Sequence, residues 1–230
     1  MAMHAAVLVT AAAATLMASP AILRAQLDHI VVGTRSLEEG MAEFERLTGV
    51  TAARGGRHPN RGTENALVSL GGGRYLELIA PRGDAAPAPD LDEMRMLTRL
   101  TVIGWAVSVN DIQLARQTMA PVGATLGPDM PGSRVSPSGT TLEWATATLE
   151  APRIATAPFF IHWKPSTPHP STTSPPGCTL SSMEVHDPAA TDLSRALNAL
   201  RVSGVAIRRG DAHISVRLKC GGRSVILGSR

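Results

Sequence analysis

One order of elements recurs three times along this chain: a short apolar strand, a helix, then further strands. The first and last copies close on nearly the same hairpin, Leu70-Gly71-Gly72-Gly73-Arg74 and Cys220-Gly221-Gly222-Arg223. A repeated supersecondary unit cannot bury its apolar face alone and must pack on its neighbours. In the first copy, residues 27–32 read as a strand. Ser36 and Glu39 have capping-box spacing. Leu37, Met41, Phe44 and Leu47 share one helical face, and Gly49 stands where that helix stops. Residues 66–70 and 75–79 read as strands, and the glycines between them supply the positive φ of a tight hairpin.

The second copy has a strand over 100–107, a helix from the cap Asp111 to about Met119, and strands over 140–147 and 158–163. The third has a strand over 179–185, a helix over 191–200 and a hairpin pairing 214–219 with 224–227. The expected class is α+β, built from repeated βαβββ modules. Residues 81–89 form a Pro/Ala/Asp-rich linker. Residues 164–177 carry Pro165, Pro168, Pro170, Pro175 and Pro176, a stiff segment expected to set the third unit off as a semi-separate lobe. The expected division is a leader over 1–26, a domain over 27–166 made of modules 27–81 and 99–166, the linker 167–177, and an additional βαβββ-like module over 178–230.

Composition excludes several functions. Hydrophobic residues are 43% and charged residues 18% of the 230, which is globular rather than disordered. The formal charge of +3 is unclustered and the aromatic content is 3%, so a nucleic-acid surface is not expected. No Gly-x-Ser-x-Gly elbow, Walker loop or His-Glu-x-x-His helix is present.

Residues 5–17 are apolar and Ala-rich and lead into Ala18-Ser19-Pro20-Ala21-Ile22-Leu23-Arg24-Ala25-Gln26. The run is too short to span a bilayer stably and reads as a bacterial secretory signal, cut after Ala21 or Ala25, for a periplasmic or secreted protein. The other reading is a start codon placed too early, with a cytoplasmic protein beginning near Leu27. Cys178 and Cys220 are the two cysteines. They pair as a disulfide if the chain is exported, or stay as buried thiols if it is not.

The runs LDHIVVGTRSLEEGMAEFERLTGV, GGRHPNRGTENALVSLGGGRYLELIAPR and PFFIHWKPSTPHPS resemble the vicinal-oxygen-chelate superfamily, which includes glyoxalases, bleomycin-resistance proteins and dioxygenases. More narrowly, they resemble its glyoxalase-like domain family of unassigned substrate. The likeness spans about residues 27–170. It implies that paired modules form cupped mixed β-sheets with helices outside. Each module then offers one ligand from its first strand and one from its last to a divalent metal, Zn, Fe, Mn or Ni. His29 and Glu77 match those positions in the first module. In the second, matching the helix caps Ser36 and Asp111 places Gly104 against His29, and His162 is the last strand's one candidate. The implied metal set is His29, Glu77 and His162, with Glu77 also the catalytic carboxylate. Such a set leaves coordination sites open for Lewis-acid chemistry.

The residues themselves speak to part of this. Strand alternation puts Glu77 with Tyr75 and Ile79 on one face, and a carboxylate there needs a partner unless the face is solvated. His29 shares a face with Leu27 and Val31, where it is either a core histidine or a ligand. The polar, Gly-rich loop over 55–65 offers Arg57, His58, Arg61 and Asn65 to an anionic substrate, or simply a soluble turn. Glu184 and His186 share a face in the third unit without a second strand to complete a site. Two functions follow. One is a metal-dependent lyase, isomerase or dioxygenase acting on a small oxygenated, anionic substrate. The other is a non-catalytic protein that sequesters a small molecule in the same cup. Neither calls for nucleic acid or stable membrane insertion, and both are compatible with a homodimer.

Overall fold

The structure, a computed structural model, describes residues 22–230; the apolar part of the leader lies outside the described residues. The first module runs β1 (Ala25–Gly33), α1 (Leu37–Thr48), β2 (Ala53–His58), β3 (Thr63–Gly71) and β4 (Arg74–Pro81). After α2 (Pro89–Arg95) comes the second: β5 (Thr101–Val109), α3 (Ile112–Met119), a short 3-10 turn, β6 (Thr125–Leu126), β7 (Met130–Val135), β8 (Thr141–Ala151) and β9 (Phe159–Trp163). After α4 (Pro170–Thr173) follow β10 (Cys178–Asp187), α5 (Ala190–Ala199), β11 (Ala206–Arg209), β12 (His213–Cys220) and β13 (Arg223–Gly228).

Local signals behave as their chemistry requires. Ser36 accepts a hydrogen bond from the Glu39 backbone N–H at α1, and Asp111 accepts from Leu114 at α3. Gly49 ends α1 in the left-handed region, with φ 72°. The loop expected over 55–65 is instead a hairpin, β2 and β3. Its glycines serve packing: a Cβ on Gly56, whose φ is 140°, would lie 2.4 Å from the Val135 carbonyl oxygen of β7.

The strands form one sheet in the order β6-β8-β7-β2-β3-β4-β1-β5-β9, and a β8–β9 pairing closes it on itself. The result is a barrel with helices outside, the cupped α+β architecture expected. β1 and β5 are antiparallel neighbours and His29 pairs with Ala106. β4 lies parallel to β1 with Tyr75 beside His29, and β9 lies parallel to β5 with Phe159 beside Ala106. The modules are therefore related two-fold about the β1–β5 seam. The second-module counterpart of His29 is Ala106, two residues beyond the Gly104 given by matching helix caps. Glu77 corresponds to Ile161.

The third unit keeps the element order but not the pairing. β10 lies centrally, flanked by β11 and β12, in a separate four-stranded sheet. Nor is it set apart. Met183, Val185, Leu193 and Val216 belong to the same apolar core as Ile30, Phe44 and Leu76. The Pro-rich segment is strapped to the barrel, with Ser69 N–H donating to Pro175 O at 2.9 Å. Cys178 and Cys220, opposite each other on β10 and β12, form a disulfide.

Candidate functional site

The β1–β4 register turns His29, Tyr75, Glu77 and Ile79 into the barrel, while Ile30, Leu76 and Leu78 fill the core beneath the helices. His29 Nε2 and Glu77 Oε2 stand 3.6 Å apart in a cavity of about 70 Å³. Phe159, Ile161 and Trp163 from β9 and Trp144 from β8 supply its apolar side. The His29 ring stacks on Tyr75 with centroids 4.5 Å apart. Burial, reinforced by the charges of Asp28 and Glu77, raises the Tyr75 phenol well above its ordinary range, so it remains a hydrogen-bond donor.

Strict alternation would aim Asp28 away from His29. The β1–β5 ladder breaks register between Leu27 and His29, and such a bulge re-aims a side chain. Asp28 is fully buried and accepts from three donors: His29 Nδ1 at 2.6 Å, His169 Nε2 at 3.0 Å and Trp163 Nε1 at 3.2 Å. Burial alone would raise its carboxyl. The hydrogen bonds donated by His169 and His29 outweigh burial and hold it at about 2. An ionised Asp28 only accepts, so His29 Nδ1 carries a proton toward it, and Nε2 faces the cavity. His169 comes from the Pro-rich strap. Its Nδ1 accepts from Ser171 N–H at 3.2 Å, which leaves its own proton on Nε2 for Asp28.

On the far side of Glu77, Asn65 Nδ2 donates to Glu77 Oε1 at 2.6 Å and lies 3.4 Å from His58 Nε2. His58 Nδ1 is 2.9 Å from Thr63 Oγ1. Burial lowers the His58 imidazole pKa, with Arg134 and Arg61 adding to the effect and Glu77 opposing it, so the ring is held neutral. Asn65 Oδ1 is a buried side-chain atom without a partner. It faces Gly55, where a Cβ would stand 2.3 Å away.

A family model described as glyoxalase-like domain matches residues 27–201. The chain belongs to the glyoxalase-like domain family. The match runs through the Pro-rich strap and α5. No curated protein matches. Among solved structures, a hypothetical protein from Staphylococcus aureus is 13% identical with a TM-score of 0.58, over 90% of this chain and 86% of that one. A hypothetical protein from Bacillus halodurans is 17% identical with a TM-score of 0.45, over 63% and 96%. Methylmalonyl-CoA epimerase from Mycobacterium tuberculosis is 14% identical with a TM-score of 0.44, over 66% and 94%. The first of these shares the fold with the glyoxalase-like chain.

Within this glyoxalase-like barrel, His29, Glu77, His58, Asn65 and Arg61 line one cavity. Arg57 does not join them; it is exposed and lies 4.0 Å from Glu64. His162 does not join them either. Phe159, Ile161 and Trp163 face inward on β9, which turns His162 to the opposite face, where its Nδ1 is 3.1 Å from Val109 O. The ligand set His29, Glu77 and His162 is therefore not assembled. His29 Nε2 and Glu77 Oε2 are spaced to share an ion, but Ala106 and Ile161 stand where the second module would supply donors. Among the described residues no three His, Cys, Asp or Glu side chains are placed to hold a metal. The residues present supply two of the three expected donors and do not fit a full divalent centre.

Asp28, Tyr75, Arg134, Trp144 and His169 were not legible as site residues. Asp28 needed the bulge and His169 the strap. Only Tyr75 carried a signal, since it shares Glu77's strand face. Glu184 and His186, 3.6 Å apart on the open face of the third sheet, lie outside the cavity.

Proposed function

We propose that this glyoxalase-like protein is an acid–base enzyme acting at a carbon next to a carbonyl in a small anionic molecule. The observation that carries the reading is the chain Asp28–His29–Glu77, buried at one end and open to the cavity at the other. Asp28 fixes the His29 tautomer, so Nε2 is the free base. The substrate C–H proton moves to Nε2, and its electron pair moves onto the carbonyl oxygen as an enolate. The Tyr75 phenol is a donor for that oxygen. Glu77, 3.6 Å from His29 Nε2, stabilises the imidazolium so formed. Return of the proton to carbon completes the exchange and restores both partners.

The test is exchange in D2O. Pyruvate and 2-oxobutyrate are incubated with the enzyme, and the C3 proton signals are followed by NMR. Enzyme-dependent signal loss that His29→Gln removes supports the reading; exchange that His29→Gln leaves intact refutes it. A second reading is sequestration without turnover, favoured by the wall of Tyr75, Trp144, Phe159 and Trp163. It expects thermal stabilisation by these acids that EDTA leaves unchanged, with no exchange. Metal analysis of untagged protein, before and after Glu77→Ala, tests the metal-dependent form separately. Export remains our reading of the leader, and a thiol titration of native protein from its host that finds two reactive thiols would overturn it.

A further inference from the structure

Arg134 lies on β7 and is 4% exposed. It lines both the cavity that holds His29 and Glu77 and a second cavity of about 260 Å³ lined by Arg54, Ser136, Ser138 and Thr140. Its guanidinium is set between the two. Nη1 donates to the Gly55 carbonyl oxygen, and no carboxylate lies within ion-pair distance among the described residues. A buried guanidinium normally has an acidic partner, because an uncompensated charge is costly to bury. Burial lowers the Arg134 pKa and nearby Glu77 opposes the change, yet arginine remains charged in proteins. The fork therefore retains donors that no protein acceptor uses, at a cavity wall.

The charge balance gives the same sign. Asp28 lies behind His29, where its three donors hold it, and does not line the cavity. Glu77 is answered by Asn65 and faces His29. The cavity lining therefore sets one carboxylate, Glu77, against two guanidinium groups, Arg134 and Arg61. A cavity of about 70 Å³ suits a group of a few heavy atoms. Neutral His58 and the phenol of Tyr75 add no anionic charge to repel an anion.

We infer that Arg134 is the carboxylate-recognising residue of this cavity, and that the ligand is a short carboxylate with a second oxygen function on the adjacent carbon. A planar fork accepts a carboxylate edge-on through two parallel N–H···O bonds. The adjacent carbonyl then extends toward Tyr75 and His29. This rests on the proposed small-molecule role of the cavity and not on turnover.

The test is titration calorimetry on the full chain at low salt with oxamate and its neutral analogue oxamide, two probes of nearly equal size and shape. Oxamate is expected to bind at least about tenfold tighter, the usual worth of one charge-assisted contact. Arg134→Met, with near-UV dichroism confirming its fold, is expected to bring the two affinities together. Arg134→Lys keeps the charge and a donor for Gly55 O but loses the fork. It should weaken oxamate about tenfold and leave oxamide unchanged, and it serves if the methionine variant does not fold. The inference is overturned if wild type does not prefer oxamate, if either Arg134 variant keeps the full preference, or if Arg61→Ala alone abolishes it. His29→Gln is expected to retain the preference; wild type that keeps the preference but catalyses no deuterium exchange would defeat the acid–base reading alone.

Discussion

The two halves of the barrel are built alike and furnished differently. Across the β1–β5 seam, His29 faces Ala106, and the neighbours Tyr75 and Glu77 correspond to Phe159 and Ile161. One half presents an imidazole, a phenol and a carboxylate; the other presents a methyl, a phenyl and a branched alkyl group. The same backbone thus makes an apolar wall from one copy and a polar, ionisable face from the other. What each half presents to the cavity depends on a few inward positions of two strands and not on the module as such.

That asymmetry can be broken at several points. The largest expected effect is on exchange: His29→Gln should cut it by about 100-fold or more, the usual worth of a positioned base. Ala106→His with Ile161→Glu should complete the donor set, and the variant should then carry a stoichiometric divalent metal by mass spectrometry. No gain of metal would show that the halves differ in more than these two residues. Asp28→Asn should remove acid sensitivity. The Asp28 carboxyl sits at about 2 against an ordinary 3.8, so its contribution is present above pH 4 and lost as pH falls toward 2. That contribution is about 2 kcal/mol, so chemical denaturation of wild type and variant should diverge by this amount at neutral pH and converge near pH 2. Ile161→Val, on the inert half, should cost no more than about 1.5 kcal/mol and leave exchange intact. His162→Ala removes one hydrogen bond on the outer face, worth about 1 kcal/mol, and should leave exchange and ligand preference as they are. A large loss of either would return His162 to the site.

Much of the architecture was readable because its signals are local. Ser36, Asp111 and Gly49 set helix ends through their own side chains or lack of one, and alternation correctly aimed Glu77. The failures are equally specific. The polar stretch over 55–65 looked like a loop because its glycines obscured strand character, yet those glycines are what let β7 approach β2. His162 is the one histidine in its strand, but strand phase decides facing, and Phe159 and Trp163 hold the inward positions. The Pro-rich run looked like a spacer and acts as a strap, because its carbonyl groups find partners on β3.

The sequence by itself determined the elements, their order, and the presence of His29 and Glu77 on strands of one module. These follow from side-chain periodicity and capping, which neighbouring residues settle among themselves. Tertiary structure alone decided which polar groups meet. It placed Asp28 on His29 through a bulge, brought His169 from 141 residues away, and buried Arg134 against the cavity. Barrel closure imposes those contacts, and no local pattern encodes them.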